Sequence, residues 1–88
     1  MNVVKVIYNS TKGEWLVLAT TVQNGNGTIK YYTASNLNEK WIVHTIKDYS
    51  RTDVIYHNGK YIICAKKVKL NYYSDIVAFL IDEEDYAT

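Results

Sequence analysis

Few residues in this chain could do chemistry by themselves. A protein metal centre needs Cys, His or carboxylate side chains clustered at ligand spacing, and here one cysteine, Cys64, stands in the apolar stretch Ile62-Ile63-Cys64-Ala65, while the two histidines, His44 and His57, are separated by a turn. Cys64 therefore reads as a small core residue; a nucleophile–base pair with His57 is the weaker alternative. His44 alternates with Ile42 and Ile46 and shares their face, which reads as a strand histidine. Four consecutive carboxylates, Asp82, Glu83, Glu84 and Asp85, read as a solvated tail, with a cation or a basic partner as the alternative use. Glycoside hydrolysis instead needs two carboxyl groups held roughly 5–10 Å apart on opposite sides of a sugar, and a contiguous run does not offer that. Lys66-Lys67-Val68-Lys69 followed by Tyr72-Tyr73 combines charge for phosphate contacts with rings for stacking, although Lys67 and Lys69 would share one strand face and Lys66 the other. Nine tyrosines and two tryptophans are the strongest signal, since a ring with a polar tip recognises sugars, bases and proteins at modest entropic cost. The candidate ligand contacts are Tyr31, Trp41, Tyr49, Arg51, Tyr72 and Tyr73. The candidate partner contacts are Asp82, Glu83, Glu84 and Asp85. No catalytic residue, metal ligand or cofactor site is read.

The elements that must position these residues are strands. Abundant Val, Ile, Thr and Tyr fit a pleated, half-buried surface, and with no proline in the chain the turns fall to Gly, Asn, Asp and Ser. Runs bounded by such residues predict seven strands: Val3–Tyr8, Glu14–Val22, Thr28–Ser35, Lys40–Lys47, Thr52–Tyr56, Lys60–Val68 and Ser74–Ile81. Between them lie Asn9 to Gly13, Asn24-Gly25-Asn26-Gly27, Asn36 to Glu39, Asp48 to Arg51, and His57-Asn58-Gly59. Asn-Gly pairs accept positive φ and favour hairpins. At 88 residues there is one domain. Ten basic against nine acidic residues give a net charge of +1, which argues against a nucleic-acid partner. Apolar runs such as Trp15–Ala19 and Ile76–Ile81 are far shorter than the roughly 18 residues of a membrane helix, so no membrane role is expected. A lone cysteine and an amino terminus without a signal-peptide pattern point to the cytoplasm, and the small, Lys- and Asn-rich composition suits a bacterial or phage protein.

The chain also repeats itself. Val6-Ile7-Tyr8, a turn ending Gly13-Glu14, and Trp15-Leu16-Val17-Leu18-Ala19 recur as Val54-Ile55-Tyr56, a turn with Gly59-Lys60, and Tyr61-Ile62-Ile63-Cys64-Ala65. Tyr8 and Tyr56 lie 48 apart, Gly13 and Gly59 lie 46 apart, and Ile29–Ala34 matches Ile76–Ile81 at 47. Two units, about residues 3–47 and 52–86, fill the domain. Four short antiparallel strands in about 45 residues is the size of one propeller blade. With Val54 to Tyr61 and Thr33 to Trp41, the sequence resembles the repeats of glycosidase-type and sialidase-like β-propellers, with Asn36 where those repeats usually carry Asp. The resemblance implies an all-β fold of two four-stranded, propeller-like blades with about seven strands. The alternative is a small β-sandwich or barrel.

Two blades do not close a ring, so the resemblance implies a homo-oligomer. A trimer, giving six blades, is favoured, an arrangement similar in size and logic to small bacterial fucose-binding lectins. The expected function is a non-enzymatic binding protein that recognises a small polar ligand, a saccharide or nucleotide, through the aromatic and polar residues of a self-assembled ring. A small inhibitor or adaptor of a protein partner, working through an exposed strand edge and the acidic segment, is the alternative. A hydrolase ranks third, because no carboxylate pair or nucleophile–base set stands out.

Overall fold

The computed structural model describes residues 1–81. Seven strands account for nearly all of them: β1 (Asn2–Asn9), β2 (Glu14–Gln23), β3 (Asn26–Ala34), β4 (Ile42–Lys47), β5 (Tyr49–His57), β6 (Lys60–Lys69) and β7 (Tyr72–Ile81). They form two antiparallel sheets, of order β1-β2-β3-β4 and β5-β6-β7. The protein is all-β, as its strand-forming composition predicts. Every ladder joins strands adjacent in the chain. Among the described residues no helix is long and apolar enough to cross a membrane.

Period-2 alternation decides what lies between the sheets. Leu16 and Leu18 of β2, Ile29 and Tyr31 of β3, Val54 of β5, and Tyr61, Ile63 and Ala65 of β6 form one buried cluster. Ile7, Ile46, Tyr49 and Tyr56 pack around it. Burying Leu, Ile and Val side chains this completely stabilises the fold by about 1.5–3 kcal/mol each, which is the main adhesive between the two layers.

Two turns differ from the sequence reading. The segment Asp48 to Arg51 was expected as a loop, yet β5 starts at Tyr49 and Asp48 alone makes the reversal, with φ +70°. Polar residues hide well here because they are bonded. The Asp48 amide donates to the Gly27 carbonyl at 2.9 Å, its own carbonyl accepts from the Val68 amide at 2.8 Å, and the Ser50 and Thr20 hydroxyls meet at 2.7 Å. Strand β5 thus begins at Tyr49 rather than Thr52. Similarly, only Asn24-Gly25 forms the β2–β3 turn, with φ +54° and +79°, while Asn26 and Gly27 belong to β3.

That hairpin tip is sewn to the β6–β7 tip. The Asn71 amide donates to the Gly25 carbonyl at 2.9 Å, and the Leu70 amide donates to Asn26 Oδ1 at 3.0 Å. Gly27 sits so near the start of β5 that a Cβ on it would lie 2.7 Å from the Tyr49 carbonyl carbon and oxygen. A latch therefore fixes one end of the first sheet against the second.

Candidate functional site

Three places combine chemistry with position. At one end of the interlayer space, Tyr61 of β6 is fully buried and its hydroxyl bridges to the other sheet. It donates to Glu14 Oε2 at 2.9 Å and accepts from Asn9 Nδ2 at 3.0 Å. Asn9 Oδ1 in turn accepts from the Thr11 and Lys12 amides, an arrangement that shapes the β1–β2 turn. Burial, reinforced by the Glu14 carboxylate and opposed by the Asn9 amide, pushes the Tyr61 phenol well above its usual range. With both phenol valences engaged, the network holds the layers together and leaves the hydroxyl no free approach to a substrate.

The second place is the end of the three-stranded sheet near the latch. Arg51 follows Ser50 where the β5–β6 register is interrupted before Asp53, and it adopts a left-handed φ of +52°. Left-handed backbone is unfavourable for a long side chain, and strain of this kind clusters at functional positions. Its guanidinium lies over the Tyr73 ring, 5.1 Å from the centroid. On the opposite face of the same strand end, Tyr72 is exposed and pairs across the ladder with Lys69, whose ammonium is 3.7 Å from Asp48. Tyr49 pairs with Lys67 on the same stretch of β6. This end therefore pairs a cation with a ring on each face, Arg51 with Tyr73 on one and Lys69 with Tyr72 on the other.

The third place is the outside of each sheet. On the four-stranded sheet the pairs Val6–Val17, Val17–Tyr32 and Tyr32–Val43 make one continuous cross-strand row. Next to it Tyr8 and Trp15 pack at 4.9 Å with their planes inclined by 53°. On the three-stranded sheet Ile55, Ile62 and Cys64 face outward around a shallow depression of about 170 Å³ that Asp53 also lines. This is well below the roughly 300–1,000 Å³ of ligand pockets. A sheet that packs on one side only should alternate apolar with polar residues. Here each outer face carries a group of apolar residues, with Lys30 and Thr45 beside the row on one sheet and Asp53 beside the depression on the other.

The residues singled out by sequence are dispersed. Tyr49, Arg51, Tyr72 and Tyr73 fall together near the latch. Tyr31 is 4% exposed and stacks on His44 at 4.6 Å and 13° inside the core, so its ring is not presented to a ligand. Trp41 is half-buried immediately before β4, away from the Arg51 cluster. The acidic candidates Asp82, Glu83, Glu84 and Asp85 lie outside the described residues. Cys64 is exposed rather than in the core, because the face it occupies is an outer one. No group of three or more His, Cys, Asp or Glu able to hold a metal occurs among the described residues. Asn36, in the stretch matched to propeller repeats, accepts the Asn38 amide at 2.8 Å and donates to Glu39 at 3.0 Å, shaping the β3–β4 connection.

Sequence reasoning missed two features. The Asn9–Tyr61–Glu14 bridge spans two units and has no local signature. The outer faces did have one, in the unbroken apolar runs Trp15–Ala19 and Tyr61–Ala65, which are the pattern of strands covered on both sides. Comparison with family models, curated proteins and solved structures finds no match for this chain.

Proposed function

We propose that this chain is a non-enzymatic binding module that works as an assembly of copies and holds a small polar ligand, a nucleotide in preference to a saccharide, at the Arg51 end of the three-stranded sheet. The observation that carries the reading is Arg51 itself. A strained backbone places its guanidinium on the Tyr73 ring, with exposed Tyr72 and Lys69 paired on the opposite face of the same strand end. The Tyr73 ring supplies a surface for a flat group, worth about 1–3 kcal/mol per stacked base, and Arg51 supplies a forked donor that fits phosphate oxygens. A neutral sugar would use the rings and leave the cations idle.

Calorimetric titration with ATP, GTP and a panel of monosaccharides tests this. Arg51→Asn is the informative variant because Asn accepts left-handed φ and so keeps the turn while removing the cation. The expected result is nucleotide binding that weakens at least tenfold in Arg51→Asn and in Tyr73→Ala and falls with added salt. Saccharide binding with no effect of Arg51→Asn, or no binding of either class, overturns it.

A further inference from the structure

We infer that copies of this chain stack head to tail, the outer face of the four-stranded sheet of one copy seating on the outer face of the three-stranded sheet of the next, so that the interface inside each chain recurs between chains. This rests on the self-association in the proposed function and is independent of the ligand.

The argument comes from comparing the two sheets pair by pair. Val6 faces Val17 as Val54 faces Ile63, Tyr8 faces Trp15 as Tyr56 faces Tyr61, and Ile7 faces Leu16 as Ile55 faces Ile62. The ladders to the third strands correspond too, Leu18 with Tyr31 as Cys64 with Ala78. Both first strands carry an irregularity at the same place, before Lys5 and before Asp53. The aromatic pairs agree in geometry, 4.9 Å and 53° for Tyr8–Trp15 against 5.1 Å and 60° for Tyr56–Tyr61.

Corresponding positions nevertheless face opposite ways with respect to the core. Val54, Tyr61 and Ile63 are buried between the sheets, whereas their counterparts Val6, Trp15 and Val17 line the outside, Val6 being 54% exposed. Conversely, Leu16 and Leu18 are buried, whereas their counterparts Ile62 and Cys64 line the other outside, next to Ile55, 56% exposed. Two sheets related by a two-fold axis would bury the same face of each. Here one sheet follows the other as steps follow in a staircase, so each outer face carries the residue pattern of one half of the buried interface. The two outer faces thus share the residue pattern of the interface that holds the chain together, and large apolar side chains grouped in the open, Val6, Tyr8, Val43 and Ile55 among them, mark an interaction site. A contact of this kind is heterologous, and it closes a ring or runs on as a filament according to its rotation.

Charge agrees with the occupant. Lys5 and Asp53 occupy corresponding positions on β1 and β5, and within the chain they lie 3.9 Å apart. Repeating the step sets Asp53 of one copy beside Lys5 of the next, so the signs of this pair alternate along the stack.

Light scattering on the full chain over a dilution series is the test, with Val6→Lys blocking one face and Cys64→Lys the other, each checked for native far-UV circular dichroism. Both positions are exposed, so lysine is compatible with the fold. Should Val6→Lys fail to fold, Val43→Lys places the charge on the same face. The wild type is expected at a multiple of 10.2 kDa, and each variant alone at 10.2 kDa. A one-to-one mixture of the two variants is expected at about twice 10.2 kDa, because one intact face of each kind remains. A wild type that stays at the monomer mass, a single variant that keeps the wild-type mass, or a mixture that stays monomeric overturns the inference. The masses are read without ligand, so a monomer that still binds nucleotide sinks the stacking and spares the ligand reading, whereas stacking without nucleotide binding does the reverse.

Discussion

Tyr61 shows how one hydroxyl can join two layers. Replacing it with Phe keeps the ring in its slot and strips a bond from Asn9 and from Glu14, a loss of about 1–3 kcal/mol for buried partners left short. Chemical unfolding at neutral pH measures it. The raised phenol pKa also sets a pH dependence. The folded state keeps the proton where an unfolded tyrosine releases it near pH 10, so this contribution is whole below about pH 10 and drains away as the pH climbs above it. Unfolding free energies at pH 8 and pH 11 should therefore diverge more in the wild type than in Tyr61→Phe; equal divergence would contradict the linkage. Thr52 makes the opposite case. Its buried hydroxyl oxygen has no hydrogen-bond partner, and the corresponding position in the first sheet is Val4. Thr52→Val removes a desolvated polar atom and is expected to raise stability by up to about 1 kcal/mol, read as a higher midpoint in urea.

At the scale of elements, the latch between hairpin tips decides how the sheets sit. Gly27→Ala drives a Cβ into the Tyr49 backbone, which cannot yield as a side-chain tip can. The expected cost is about 1–3 kcal/mol, or a Tm lower by roughly 4–24 °C at 4–8 °C per kcal/mol in a domain of this size. A Tm within 2 °C of wild type, on the order of 0.3 kcal/mol by the same conversion, would show that the latch is dispensable. The strands themselves were legible: β1, β2 and β6 lie within a residue of their expected ends, because Val, Ile and Tyr alternate cleanly and Gly13 and Gly59 mark their turns. The start of β5 was not. Ser50 and Arg51 look like loop residues, and what makes this segment strand is the pairing of Tyr49 with Lys67 and of Ser50 with Lys66, together with the bonds of Asp48 to Gly27 and Val68 and of Ser50 to Thr20, all distant in sequence. In the sequence Arg51 stands out as a ligand contact by type alone, and its left-handed backbone, the better reason, has no sequence mark. Tyr31 was picked for the same reason as Tyr72, and only the choice of which face turns inward separates a core ring from an exposed one.

For the whole molecule, period and spacing revealed two like units and left their relation open. Alternation tells which residues share a face and is silent on which face is covered. That is why Cys64, corresponding to the buried Leu18, was assigned to the core. Among the described residues every ladder joins neighbours in the chain, and this has a kinetic meaning. Each hairpin closes over a short loop, so little chain entropy is lost as either meander zips up. Contacts between residues far apart in the chain, Asn9 with Tyr61 and Thr20 with Ser50 among them, arise together when the meanders dock. The topological difficulty of folding is thereby concentrated in a single collision between two preassembled sheets.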